Sequence, residues 1–472
     1  MSTIHNITIC GSGLAGALAA LALVTRLGSD ISVILIETDG SAKTDCIYGT
    51  AAPPASYDFF RHLDISEPEL LLETNTAFSL GTEFTNWGHN KRSWVQSFHR
   101  ALPIIEGVGF HHYAARHTPA DKDYTLAPYI MSVQAAKAGV FAHPPEGENI
   151  PLAAVEYGYH FSHKALTSFV LSRLPKDRVK RIKANIKSVH AEDQTVTALT
   201  LTTGEEVAVE FCIDASGQDS SISTALGRKL RSPREIWLQE TSQAQSKLGA
   251  PLRRLAETET GWQAQTSLQD MMHVLTLSTA KPANDASATL ARLGRNETPW
   301  RGNCLSFGHC AAALEPLSPA PLMLLHRAIE RLVELIPISA DMDFEAREYN
   351  RRFNEDYVHA QIFHDAMQET ESSNAPLHPK LETKLTQFKS RGILVQYDLE
   401  PFAAEDWAML HCGMRRRPER YDPLADRLTN AQVENMLANF KSANKAMALK
   451  MPPHDVYMSG LLKYLKGKYA KR

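Results

Sequence analysis

The chain has 472 residues, 43% of them hydrophobic, with 50 basic against 53 acidic residues and a formal net charge of −3. That length and apolar share suit one large domain or two to three ordinary ones, and the balanced charge excludes the strongly basic surface of a nucleic-acid-binding protein. Six scattered cysteines (10, 46, 212, 304, 310 and 412) form no CxxC pair, a usage that fits a reducing cytoplasm.

In chain order, "NITIC" reads as a strand, "GSGLAG" as a turn, "ALAALALVTRLGS" as a helix and "ISVILIE" as a second strand. The apolar run at 13–24 has the look of a signal-peptide core. No Lys or Arg precedes Arg26, however, so a cytoplasmic chain is expected. No apolar run approaches the roughly 18 residues of a membrane span, so no membrane partner is expected. "EFCIDASG" (210–217) and "CLSFGH" (304–309) are further apolar strands that end in small-residue turns. Continuous apolar runs of this kind suit a parallel sheet covered on both faces, here assembled from distant segments. Residues 322–336 place Leu322, Leu325, Ile329, Leu332, Val333 and Ile336 at helical spacing, which predicts one core-facing side. Beyond Asp343 the chain reads as largely helical.

Gly11, Gly13 and Gly16 form G-x-G-x-x-G directly after a strand and at the start of a helix, with Ser12, Leu14 and Ala15 between them. The first glycine allows the tight turn, the second lets backbone approach a pyrophosphate, and the third lets the helix pack on the sheet. Glu37 ends the next strand about 20 residues on, where a carboxylate can hold ribose hydroxyls. No basic residue neighbours it in sequence, so an unphosphorylated ribose, as in FAD or NAD, is expected. FAD is preferred because "CIDASG" and "SFGHCAAALEPL" supply a second glycine-ended strand and a later strand-to-helix turn. The fold class expected is an α/β, Rossmann-like FAD-binding flavoprotein of the glutathione-reductase or aromatic-hydroxylase type, with a substrate subdomain and a helical C-terminal part.

Other side chains are weighed against plainer roles. His111 and His112 are read on a strand, where neighbours point to opposite faces, so no shared metal is expected. His160 and His163 are three apart and could meet on a helix, but no carboxylate-rich segment supports a metal there. Cys304 and Cys310 read as buried small hydrophobes, with a redox role near a flavin as the alternative for Cys310. Glu315 is either helix-end electrostatics or a proton-handling group near a flavin. Trp87, Trp94, Trp262 and Trp407 read as core or cavity lining. Arg415, Arg416 and Arg417 read as a solvated face.

Taken in order along nearly the whole chain, the motifs resemble the flavin-dependent tryptophan halogenases. "GSGLAGALAA", "DCIYGTAAPPASYDFFRHLDI", "TNTAFSLGTEFTNW", "FHHY", "YGYHFSHKAL", "FCIDASG", "CAAALEPL", "HRAIERLVELIP", "DWAMLHCGMRRRPERYDPLAD" and "MPPHDVYM" carry the likeness. The resemblance implies FAD held by the first turn, by Gly49, Thr50 and Ala51, and by Gly308, His309 and Leu317. It implies reduced FAD from a separate flavin reductase, a small aromatic substrate or peptide-borne indole near His111, His112, Trp262 and Trp407, and a homodimer. Family members form hypohalous acid at the flavin and deliver it through a lysine, assisted by a glutamate.

This sequence departs from the pattern at those groups. The lysine position is Ser79, and its nearest alternatives, Lys91 and Arg92, read as solvated. The glutamate position is Ser318. The Thr-Gly pair whose backbone helps hold halide corresponds to Ala320-Pro321, and proline offers no amide. The family's Trp-x-Trp-x-Ile-Pro signature aligns with "GWQAQTS", which keeps Trp262 but has Ala264, Thr266 and Ser267. His309 stands at an acidic or amide position of the flavin turn, with Ala312 for its last glycine. Three functions stay open: an FAD-dependent oxidoreductase or monooxygenase acting on an aromatic or indole-like substrate, a non-catalytic binding or partner protein, and a halogenase with atypical delivery residues. The catalytic residues are left unassigned, with Glu315 as a candidate. The domain expectation is a discontinuous FAD-binding part within 1–340 (about 1–75, 155–230 and 300–340), inserted substrate segments (about 76–154 and 231–299), and a helical part from 341 to 472.

Overall fold

The computed structural model describes residues 4–88, 90–100, 102–119, 121–282, 288–368 and 376–469. They form two compact units, each built from three separate stretches of chain. The first comprises residues 1–76, 161–241 and 275–357, and the second residues 77–160, 242–274 and 358–472.

The first unit is organised on a six-stranded sheet. Strand β1 (Asn6–Cys10) is followed by helix α1 (Leu14–Arg26) and strand β2 (Ser32–Glu37). The sheet order is Val179–Lys183, β2, β1, Phe211–Asp214, Cys304–Ser306 and Trp300–Arg301. The first five strands are parallel and the sixth is antiparallel. The central strands β1, Phe211–Asp214 and Cys304–Ser306 are buried on both faces and so need cover above and below, whereas the edge strand Val179–Lys183 exposes Lys180, Arg181 and Lys183. In β1, Ile7 and Ile9 are buried together with Thr8 and Cys10 on the opposite face. Helix α1 begins at Leu14, three residues before the sequence reading placed it, since the glycine turn itself enters the helix. An antiparallel sheet of Ile186–Glu192, Thr195–Leu201 and Glu206–Ala208 flanks a core that includes Cys10, Ile36, Cys212, Leu199 and Ile222.

Helix Ala320–Glu334 follows the third parallel apolar strand. Pro319 caps it and Pro321 lies in its first turn, where a missing amide costs no hydrogen bond. Leu322, Leu325, Ile329 and Leu332 are buried as the periodicity predicts, while Val333 is half-buried and Ile336 lies past the helix end.

In the second unit, strands Arg92–Ser97, Gly81–Trp87, Arg253–Thr258 and Gly261–Ser267 pair in that order. Ala77–Ser79 pairs antiparallel with Gly158–His160. Helices Pro379–Arg391, Ala404–Gly413, Asn430–Ala448 and His454–Tyr469 confirm the helical C-terminal reading. No helix among the described residues is long and apolar enough to cross a membrane.

Several local expectations are corrected. His111 and His112 lie in a helix, Phe110–His117, rather than on a strand, and their rings are tilted together at 4.1 Å. Phe110, His112, Tyr113 and Ala114 are buried there, a helical spacing that two residues alone do not reveal. His160 ends a strand while His163 starts a helix, so the two share no helix. Arg92, Arg416 and Arg417 are not simply solvated. Arg92 donates to the Met414 carbonyl, Arg416 to that of Ala366 at 2.8 Å and Arg417 to that of Pro119 at 2.7 Å.

Candidate functional site

The glycine turn is dictated by sterics. Gly11 sits at φ +107°, and a Cβ there would fall 2.2 Å from the Ala215 carbonyl oxygen. A Cβ on Gly16 would fall 1.9 Å from the Gly11 carbonyl oxygen, so only glycine lets α1 close on the turn. The helix that follows has Gly13 as its N-cap, no side-chain cap and no acidic residue in its first turn. Its free amides and dipole therefore favour an anion.

That anion is supplied by the chain. Asp45 Oδ2 accepts the Leu14 amide at 2.7 Å, and Ser41 Oγ accepts the Ser12 amide at 3.2 Å. A Cβ on Gly13 would meet the Ser41 carbonyl oxygen at 2.8 Å and Asp45 Oδ2 at 2.9 Å, so the gap in front of the helix is closed. Asp45 is 2% exposed. Burial pushes its carboxyl up to about 6, against the Leu14 amide, which favours the ionised form.

The neighbouring wall is also filled. His309 shares a hydrogen bond with Thr44 through Nδ1 at 3.0 Å, and the same nitrogen lies 3.9 Å from Asp45 Oδ1. Its ring stacks on Tyr48 at 4.1 Å, and burial brings the imidazole down to about 3, so it is neutral. Gly308, at φ +55°, is wedged so tightly that a Cβ would fall 2.5 Å from the Ala15 Cβ and 2.8 Å from the Tyr48 hydroxyl. Tyr48 Oη and His309 Nε2 are buried and make no hydrogen bond. A small apolar cleft of about 40 Å³ lies by this pair, with Pro321, Leu325, Tyr349 and Phe353 among its lining.

Glu37 is engaged by Arg181 Nε at 2.5 Å, from a strand 144 residues on. The sequence reading found no basic neighbour because Arg181 reaches Glu37 only through the sheet pairing of Lys183 opposite Glu37. Gly49 is at φ +76°, and the Thr50 carbonyl accepts the Phe161 amide at 3.0 Å, next to buried Ala51. The Leu317 amide donates to the Glu315 carbonyl at 2.9 Å. Glu315 is paired with Arg234, and Ser318 Oγ accepts the Ala320 amide at 3.2 Å at the entrance of the helix. Asp214, at the end of its strand, was not singled out from sequence. It accepts the hydroxyls of Ser216 and Ser220 at 2.6 Å, that of Ser223 at 2.8 Å and the Cys310 thiol at 3.4 Å. Burial holds that thiol well above its usual range, so Cys310 is a protonated packing group.

In the second unit, Ser79 is fully buried on its strand, and its Oγ accepts the Gly81 amide at 3.3 Å. Phe78 beside it stacks on Phe141 at 4.4 Å, with the rings of His143, Tyr157 and Tyr457 set edge-on against it. His111 binds the Gly392 carbonyl at 2.8 Å, and His112 accepts the Asp422 amide at 3.2 Å. Trp262 lies under the Arg253 guanidinium at 5.6 Å. Trp407 donates to Glu400 at 2.6 Å, and Glu400 also holds Lys384 at 2.9 Å. Among the described residues no group of three or more His, Cys, Asp or Glu could hold a metal ion.

The residues present therefore frame a dinucleotide turn but do not fit a dinucleotide as they stand. Asp45 accepts the Leu14 amide and Ser41 the Ser12 amide at the helix entrance, and Arg181 holds one carboxylate oxygen of Glu37.

A family model described as tryptophan halogenase matches residues 6–430. Tryptophan 6-halogenase SttH of Streptomyces toxytricini is 24% identical over 379 residues, 70% of this chain and 72% of that protein. The 7-chloro-L-tryptophan 6-halogenase KtzR of Kutzneria sp. is 22% identical over 390 residues, 72% of this chain and 75% of that protein. The structure of BrvH, a flavin-dependent halogenase from Brevundimonas sp. BAL3, superimposes with a TM-score of 0.87 at 23% identity, covering 97% of this chain and 99% of the other.

Proposed function

The chain belongs to the tryptophan halogenase family, and from that premise we propose that it uses the family scaffold without transferring halogen, as a binding protein for a small aromatic molecule. The observation that carries the reading is the 2.7 Å bond from the Leu14 amide to the Asp45 carboxylate. A second anion at the same amide would face a buried like charge, so a flavin diphosphate has no free anchor there. The delivery positions agree with this. Ser79 and Ser318 carry hydroxyls, which cannot stand in for an amine that holds halogen or a carboxylate that takes up a ring proton. Pro321 offers no amide to halide. The aromatic character of the ligand is inferred from the relatives, which are named as halogenases of tryptophan.

A second reading is favoured by the intact sterics of Gly11 and Gly16. In it the chain is an FAD-dependent oxidoreductase that receives reduced FAD from a separate reductase and oxygenates an aromatic or peptide-borne indole substrate. When bound, FAD would supply the oxygen chemistry, and this chain's part would be to release Asp45 from Leu14.

Purification decides between them. The binding reading expects a colourless protein that takes up no FAD on titration and gives no halogenated product with reduced FAD, oxygen, bromide and tryptophan. A yellow protein with FAD in equal amount overturns it.

A further inference from the structure

Helix α1 presents an anion site that is filled from within. Its 13 residues carry no acidic group in the first turn, and its N-cap glycine has no side chain to satisfy the leading amides. The group that does so comes from 31 positions on and is almost wholly buried. An isolated carboxylate in such a place is costly, and among the described residues no lysine or arginine pairs with Asp45. What offsets its burial is the helix end, the same source of attraction that holds a phosphate in folds of this kind. Its carboxylate oxygen stands at the leading amide of α1, where a phosphate oxygen of a dinucleotide would be held.

We infer that Asp45 is an internal phosphate mimic that sets the ligand selectivity of the α1 seat, excluding ligands that carry a diphosphate. The inference rests on the reading that Asp45 weakens or prevents the binding of FAD by the wild-type chain. Two further polar side chains stand beside it. Tyr48 Oη and His309 Nε2, each on a residue 4% exposed, lack hydrogen-bond partners, and His309 reaches toward Asp45 through its other nitrogen. With the carboxylate removed, the Leu14 amide at the helix entrance loses its acceptor and is open to another anion.

The test uses the full chain as Asp45→Asn and Asp45→Ala. Asparagine keeps the shape and the acceptor for Leu14 while dropping the charge, and alanine also empties the space. FAD, ADP and phosphate-free riboflavin are titrated against each by fluorescence and calorimetry, with circular dichroism to confirm folding. FAD and ADP are expected to bind both variants at least about tenfold more tightly than wild type, with riboflavin unaffected by the substitutions. Folded variants that gain no affinity for FAD or ADP overturn the inference and leave the binding reading standing. Wild type that binds FAD as tightly as both variants overturns the inference and the binding reading together. Wild type that binds FAD, but about tenfold more weakly than the variants, overturns the binding reading and upholds the inference. Should neither variant fold, wild type itself carries the test. The groups facing Asp45 are Leu14, Thr44, Tyr48, Cys46, His309, His163 and Glu240. FAD affinity is expected to rise as pH falls from about 8 to about 5 and Asp45 is protonated, and a flat profile overturns the inference.

Discussion

The indole N–H of Trp407 donates to the Glu400 carboxylate at 2.6 Å, and the other carboxylate oxygen holds the Lys384 ammonium at 2.9 Å. The Lys384 and Glu400 side chains are 2% and 1% exposed, and the ammonium also lies 4.4 Å over the Trp407 ring. Trp407, expected from sequence near a substrate, is thus committed to a closed buried group.

Breaking this group from one side should be costly. Lys384→Met leaves a buried carboxylate with only the indole and a main-chain amide, and should lower unfolding free energy by about 3–5 kcal/mol in urea titration. Lys384→Met combined with Glu400→Gln should recover much of that loss. A single variant as stable as wild type would sink the account.

The glycine turn makes a steric prediction. Gly16→Ala would place its methyl against the Gly11 carbonyl, and α1 would have to lift from the sheet. A loss of about 2 kcal/mol or more is expected from chemical denaturation, whereas Gly40→Ala, with nothing within 4 Å of its Cβ, should cost only about 1 kcal/mol for its positive φ. Equal losses at the two sites would refute the packing argument.

Placing a lysine at 79 and a glutamate at 318, where the family resemblance expects a delivery pair, should not confer halogenation. Ser79→Lys places an ammonium on a fully buried strand residue, which should destabilise the fold by several kcal/mol, on the order of the penalty for an unpaired buried charge. Adding Ser318→Glu leaves Pro321 and Asp45 in place. Mass spectrometry after incubation with reduced FAD, oxygen, bromide and tryptophan should show no brominated indole from the double variant, and its appearance would mean that only the pair was missing.

Acid should destabilise the protein earlier than its carboxylates alone predict. Burial lowers His160, His309, His326 and His364 from 6.5 to about 3. Between those values the unfolded chain binds protons that the folded chain refuses, so their contribution to stability is lost as pH falls below 6.5. Asp45 acts in the other sense. Raised from 3.8 to about 6, it favours the folded state below 3.8 and withdraws that contribution as pH rises through 6. Asp406, raised to about 7, acts in the same sense as Asp45, but four histidines outweigh two aspartates, so Tm should fall below pH 6.5. His326→Phe, which keeps a ring stacked on Phe59, should flatten part of that slope. An unchanged slope would show that His326 titrates normally.

Much of the architecture was legible residue by residue. Gly11 and Gly16 announce a turn that only glycine allows, and "NITIC", "FCID" and "CLS" announce doubly covered strands, because each signal lies within a few neighbouring residues. The histidine pair at 111 and 112 was misread because two residues carry no period, and the helix became visible only through what Phe110 and Tyr113 bury. Asp214 gave no signal of its own, since its four donors are serines and a cysteine of ordinary appearance.

Sequence alone determined the strand–turn–helix frame, the family to which the chain belongs and the hydroxyls at 79 and 318, since these depend on local sterics, periodicity and residue identity. Tertiary structure alone decided what stands at the end of α1. Asp45 is 31 residues from Leu14, and Arg181 is 144 residues from Glu37. The partner of a buried charge is chosen by which distant segment packs against it, and at this helix end that choice fell on the chain's own carboxylate.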